Sequence, residues 1–358
     1  MIESLHGAFG RLLGNVEVFS SGFADAAEKI AETLPDIVVL DVYEDQVEGH
    51  SVEAIEPTRR YIWDEHFCPV VYHSAHDFPE HLRQNHPFIR YESKMAGSQD
   101  RVAGHVKSFA QEIAGLRTVR RELTRRAGEA LRHVSPLIWQ TGRPANEQTD
   151  LFLRVVRRRM AAALDYTTEH QKQTQAWEQY IYPPISNDLL TGDLIRASGA
   201  NANDLTAYRL ILSPSCDLVR GRGKTLEQIL VADCVSVNDF LAKAGINAQK
   251  LDDRDHRKKL LSELSKDQVA GLTVLPKFPD VLPLMAANLK KLSLVSYSDI
   301  ATKSGEAKPF LRIASVDSPF RERLAWAYLQ VAGRPGVPDV DREALADSIA
   351  QTIPPVPK

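Results

Sequence analysis

The sequence predicts a mixed α/β protein: a doubly wound sheet at the N-terminus, a long α-helical hairpin in the middle and an α+β domain at the C-terminus. Three observations carry this reading. Short apolar, β-branched runs alternate with helix-like stretches over the first third of the chain. Apolar residues then recur at steps of three and four. The last half returns to short strands, turns and one amphipathic helix. The formal net charge of −3 hides the same division. Residues 1–101 carry 8 Lys and Arg against 18 Asp and Glu, a balance of −10; residues 102–159 carry 12 against 5, or +7; residues 160–358 carry 24 of each.

In the acidic third, Asp36-Ile-Val-Val-Leu-Asp41 and Pro69-Val-Val-Tyr-His-Ser74 read as buried parallel strands, with a weaker one at Pro87–Tyr91 and a short one at Val16–Phe19. Between them, Ala24–Leu34 places Ala27, Ile30 and Leu34 on one helical face. In such a sheet, sites lie at the carboxyl ends of the strands. Asp41, Ser74 and Lys94 stand there. A carboxylate can accept a phosphoryl group, an ammonium can neutralise its charge, and a hydroxyl can respond to the new oxygens.

Order and spacing sharpen that reading. Asp41 and Ser74 are 33 residues apart, and Ser74 and Lys94 are 20 apart. The strings LPDIVVLDVYED, PVVYHSA and YESK, in this order, resemble the receiver domain of two-component response regulators over about residues 1–115. The resemblance implies a receiver-like fold, Asp41 as phosphoacceptor, and Ser74 and Lys94 as switch and phosphate-stabilising residues. It further implies a sensor histidine kinase or other signalling protein as partner, with Mg²⁺ if the receiver is phosphorylated and otherwise no cofactor. Residues 1–14 already read as the helix after the first receiver strand, so that strand and its acidic pair are expected to be missing. Met95 follows the lysine where receivers usually have proline.

His66, Cys68, His73, His76, His81 and His86 crowd into 21 residues, a density that permits zinc. Their spacing matches no closed Cys/His pattern, and no metal site is expected.

In the basic middle, Val106, Phe109, Ile113, Leu116, Leu123, Ala127 and Ala130 or Leu131 follow a heptad-like seam, with Val119 slightly out of line. One helix over 102–134 would be about 50 Å long at 1.5 Å per residue, more than a receiver needs as a cap. Pro136, Gly142 and Pro144 are expected to break it. A second helix then begins near Thr149-Asp150 and carries Phe152, Val156, Ala163, Tyr166 and Trp177. The simplest burial for both stripes is a homodimer through a four-helix arrangement; packing against the C-terminal domain is the alternative. Arg117, Arg120, Arg121, Arg125, Arg126, Arg132 and Arg157–Arg159 form a basic stripe. It suits a solvated flank, a dock for the acidic third or, as runner-up, nucleic acid.

In the balanced half, Tyr208–Ser213 and Gln228–Asp233 read as strands joined by Arg220-Gly-Arg-Gly-Lys-Thr225, which lacks the register of a phosphate-binding P-loop. Residues 239–266 are helical in pattern, 272–300 hold further short strands, and Pro319–Ala332 is an amphipathic helix. Cys216 and Asp217, at a strand end, are the candidate C-terminal site; a nucleophilic thiolate there would require a base such as His256. A buried cysteine beside a turn aspartate is the plainer expectation. The string SPSCDL and RIASVDSPFRERLAWAYLQVAGRPGVP resemble a module of uncharacterised bacterial proteins found near mobile and defence genes, covering about 180–338 and implying no particular chemistry.

The expected organisation is a receiver-like domain over 1–101, a helical dimerisation connector over 102–178, an effector or interaction domain over 179–338 and a flexible tail over 339–358. The chain reads as a signalling protein, more a transmitter than an enzyme. The alternative is an enzyme or nucleic-acid-binding effector under receiver control. With no run of about 18 apolar residues, no leader-like N-terminus and three cysteines, a membrane partner and a disulfide scaffold are excluded and a cytoplasmic location is expected.

Overall fold

The structure is a computed structural model and describes residues 2–14, 16–42, 55–76, 78–80, 83, 85–139, 142, 144–165, 174–220, 226–303, 305–333 and 341–352. The chain divides into two compact units, Met1–Gln171 and Lys172–Lys358.

The first unit runs α1 (Ile2–Leu13), α2 (Ala26–Thr33), β1 (Val38–Leu40), α3 (Glu56–Asp64), β2 (Val70–Ser74), β3 (Ile89–Ser93), α4 (Ser98–Ser108), α5 (Ala110–Trp139) and α6 (Ala145–Asp165). Its strands form a parallel sheet in the order β1-β2-β3, with Val38 opposite Val70 and Val70 opposite Ile89. Side chains alternate between two cores, as the period of a strand requires. Leu40, Val70 and Tyr72 meet Ile30 of α2 and Ile62 of α3, while Val39 and Val71 meet Phe9 of α1 and Val102 of α4. With helices on both faces, the central strand β2 is buried along its whole length.

Val16–Phe19, expected as a strand, is irregular. It forms no ladder with the edge strand β1, and Val18 instead packs into the core around Phe9.

The helix expected over 102–134 is two helices. The chain turns at Phe109, which is fully buried between α1, α4 and the sheet and has the Arg90 guanidinium 4.9 Å from its ring centre. α5 then continues through Pro136 to Trp139. Proline removes one helical hydrogen bond and crowds the preceding turn. Here Val134 and Ile138, on either side of it, are buried against Phe152 and Val156 of α6, and Trp139 meets Phe152 edge-on at 5.0 Å. That packing holds the helix across the proline. α6 ends at Asp165; Tyr166 lies outside the described residues. Trp177 belongs to the second unit, where it stacks on Phe278 at 5.2 Å.

The second unit contains β4 (Tyr180–Ile181), β5 (Asp193–Ala197), β6 (Tyr208–Ile211), α7 (Ser215–Leu218), β7 (Gln228–Val235), α8 (Val237–Lys243), α9 (Arg254–Leu264), β8 (Leu272–Leu275), β9 (Met285–Ser296), β10 (Ile300–Ala301), β11 (Phe310–Val316), α10 (Phe320–Ala332) and α11 (Arg342–Thr352). Eight strands form one sheet in the order β10-β11-β5-β6-β7-β9-β8, with β4 added to β11; the β10–β11 pairing is parallel and the others are antiparallel. One face packs Leu210, Ala232 and Met285 under Leu324 and Ala327 of α10, and the other buries Ile195, Ile211, Val231 and Tyr297. The short strands expected over 272–300 include one of 12 residues, β9, which stays continuous by means of a bulge opposite Ala232 and Asp233. That irregularity lets Asp233 take both Arg209 at 2.8 Å and Lys291 at 2.9 Å. Residues 221–225 of the glycine-bearing turn lie outside the described residues. Within the segment read as a tail, Arg342–Thr352 is helical.

Candidate functional site

The parallel sheet of the first unit ends in a small polar cluster. Asp41 follows β1, Ser74 closes β2, and Lys94 follows β3, so three neighbouring strands deliver three side chains to one edge. The Lys94 ammonium donates to Asp41 Oδ2, and Asp41 Oδ1 accepts the Val42 N–H at 2.8 Å. Lys94 has 8% of its side chain exposed and Asp41 29%, so the pair is largely withdrawn from water with its carboxylate facing out.

Ser74 is buried, and its hydroxyl accepts the His76 N–H at 3.1 Å. Its carbonyl accepts the Lys94 N–H at 2.7 Å, which ties the lysine's backbone to the end of β2. The structure thus brings Asp41 and Lys94 into contact and holds Ser74 on the strand between them.

Beneath this edge lies a residue that sequence reasoning had placed only in a metal context. His73 is buried, and its Nε2 and the Ser98 hydroxyl are 2.9 Å apart. Burial, reinforced by the Lys94 charge, pushes its pKa below the ordinary histidine value. Ser98 opens α4, preceded by Gly97 in the left-handed region at φ 74°, which glycine adopts without strain. Opposite His73 in the register, Glu92 holds Arg101 of α4 at 2.7 Å and His105 at 3.3 Å. α4 is therefore fastened by polar contacts to the two strands that carry Ser74 and Lys94.

The other crowded histidines serve local packing. His66 bonds the Pro35 carbonyl at 2.7 Å, and His86 lies edge-on to Trp63 at 5.0 Å. Burial raises the Cys68 thiol to about 12. His81 lies outside the described residues, and among those described no group of three His, Cys, Asp or Glu side chains could hold a metal ion.

In the second unit, Cys216 is exposed rather than buried, because it sits on the single-turn helix α7 while Leu218 takes the core position. Its Sγ lies 3.5 Å from Asp217 Oδ1. The base considered for it, His256, is bonded instead to Asp253 at the start of α9, 3.1 Å away. No Cys-His pair forms between them.

The most deeply buried ionic group of this unit had no local sequence signal. Asp193 and Arg312 have side chains 0% and 3% exposed and pair at 2.8 Å. Asp193 also accepts the Ser315 hydroxyl at 2.6 Å and the Leu190 N–H at 2.7 Å. Burial pushes its carboxyl up, against the pull of Arg312. β5 and β11 are neighbours in the sheet, which is how residues so far apart in sequence meet.

No family model matches the chain, and no curated protein or solved structure is significantly similar to it. No helix among the described residues is long and apolar enough to cross a membrane.

Proposed function

We propose that the chain is a response-regulator-like signalling protein. A phosphorelay or protein-partner signal is received at Asp41 and passes through a dimeric helical connector to the C-terminal unit. The observation that carries the reading is the Asp41–Lys94 bond at the ends of the two parallel strands that flank β2, with Ser74 closing β2 between them. In the phosphoryl step, an Asp41 carboxylate oxygen attacks the donor phosphorus and the donor's own bond to that phosphorus breaks. Lys94 gives up Asp41 and neutralises the added charge. In this reading Ser74, which closes β2, responds to the new oxygens. Magnesium would need several oxygen donors. Asp41 is already engaged by Lys94 and the described residues offer no three-ligand group, so they do not fit a magnesium site.

The route onward is short. Lys94 is four residues before α4, α4 is latched to the same sheet edge by His73–Ser98, and the turn at Phe109 leads into α5. On α5, Leu116, Val119 and Leu123 continue the face that Ala130, Val134 and Ile138 turn to α6, yet Val119 and Leu123 are 55% and 42% exposed. A second copy covers them in this reading. Sedimentation velocity tests it. The wild type should be a dimer at micromolar concentration, a phosphoryl donor should shift the equilibrium, and Asp41→Asn should abolish the shift. A strict monomer in both states contradicts the proposal.

A further inference from the structure

The two edges of the eight-stranded sheet are closed differently. At one, β11 is flanked by the two-residue strands β10 and β4. At the other, β8 covers β9 only from Met285 to Asn288, and the Gly271 carbonyl accepts the Leu289 N–H at 2.8 Å. Beyond that point β9 runs on to Ser296 with β7 on one side only.

The register fixes which backbone groups face the open side. The Tyr297 N–H donates to the Glu227 carbonyl, and the Leu212 N–H to that of Leu230, each at 2.9 Å. Leu230 is thus turned toward β6, and residues 293 and 295 of β9 bond β7. Leu292 and Leu294, opposite Ala232 and Leu230, turn both N–H and C=O outward, and Ser296 turns its N–H outward. Among the described residues, these groups of Leu292 and Leu294 have no partner. Their side chains share the face of Ala232 and Leu230, yet remain 40% and 63% exposed.

An edge of this kind is a template for another strand, and natural sheets guard it with charge or proline. The two lysines beside this one are engaged by their own chain. The Lys290 stem fills the space that a Cβ at Gly271 would take, and Lys291 pairs with Asp233 at 2.9 Å. From Leu292 to Ser296 there is neither charge nor proline.

We infer that β9 pairs with β9 of a second copy, antiparallel about Leu294, joining two sheets edge to edge. A strand paired antiparallel with itself gives the two-fold symmetry of a closed dimer. With Leu294 opposite Leu294 of the second copy, the outward groups meet in about four hydrogen bonds. Leu292 and Leu294 of both copies then form one apolar strip. The same register sets Lys290 opposite Ser298 of the second copy, beside its Asp299, so opposite charges meet at both ends. This interface lies beyond the signalling reading and rests on neither Asp41 nor α5. Two copies joined through α5 can also join through β9, so the particle remains a dimer.

Cysteine crosslinking of the full chain tests it, because residues so paired lie about 5.5 Å apart between Cα atoms, a distance a disulfide spans. Cys216→Ser removes the exposed native thiol. In that background Leu294→Cys should form a covalent dimer about tenfold faster or more than Leu261→Cys, an exposed position on α9, because reaction within a formed pair is intramolecular. Hydrogen exchange over residues 290–297 of the wild type should slow as protein concentration rises, and Leu294→Lys should abolish that dependence with circular dichroism unchanged. Adding Val119→Asp/Leu123→Asp, which removes the exposed apolar residues of α5, should leave the Leu294→Cys crosslink in place. Crosslinking no faster than the Leu261→Cys control, or its loss in the α5 variant, overturns the inference. Protection of 290–297 that is independent of concentration means that the chain covers its own edge, and overturns it as well.

Discussion

Lys94 reaches back across 53 residues of sequence to donate its ammonium to Asp41. The contact joins the ends of β1 and β3, which are not neighbours in the sheet, over the end of β2. It therefore clasps the three strands at the edge where their polar side chains converge. Lys94→Met keeps the stem's packing and removes the donor to a carboxylate. A loss of about 1.5–3 kcal/mol in urea unfolding is expected, the range for hydrogen bonds to charged groups. An unchanged midpoint would mean that the contact is not a clasp.

His73 makes the first unit sensitive to mild acid. Its folded pKa is lowered, so the unfolded chain binds the proton more readily. Stability is complete above the ordinary histidine value of about 6.5 and is lost as pH falls below it toward the folded value. Urea midpoints should therefore decline between about pH 7 and 5. His73→Gln, which can still bond Ser98, should flatten the decline; an equal decline in both proteins would assign it to another group.

Phe109 holds the corner between α4 and α5. Phe109→Ala should cost about 3–5 kcal/mol, as for other fully buried aromatics. Limited proteolysis should then cut near residue 109 faster than in the wild type. Cleavage confined to other sites would show that the corner is held by something else.

Pro136 is an exposed proline inside a helix. Pro136→Ala should stabilise the hairpin, by up to about 3 kcal/mol, because the missing helical hydrogen bond is restored and the ring clash removed. A lower melting temperature for the variant would show that the proline is needed for the path of α5.

The Asp193–Arg312 pair should behave asymmetrically. Arg312→Leu leaves a carboxylate buried among apolar strands and should cost about 3–5 kcal/mol. Arg312→Leu with Asp193→Leu should recover most of that loss. Equal destabilisation by the single and double changes would argue against an ion-pair explanation.

These features differ in how far they could be read from sequence, and the difference is physical. Asp41 and Ser74 were legible because each closes a short β-branched run, and Lys94 because it follows the third strand at a matching interval. Their sharing of one edge follows from strand order, whereas the Lys94–Asp41 contact is a tertiary fact. Phe109 fits the helical period on both sides, so periodicity passes over the turn that its burial creates. Pro136 signals a break by local sterics, but the packing of Val134 and Ile138 against α6 overrides it. Asp193 and Arg312 are 119 residues apart, and nothing local marks either as half of a buried pair. Cys216 was misjudged because its neighbour Leu218, rather than the thiol, fills the core.

Phosphoryl labelling at Asp41 tests the central claim most directly. The full chain is incubated with a small phosphoryl donor in magnesium-containing buffer, its intact mass is measured, and the modified peptide is mapped. The account expects one phosphoryl group on Asp41, removed by hydroxylamine as an acyl phosphate is and absent from Asp41→Asn. An unmodified wild type, or equal labelling of Asp41→Asn, would contradict it.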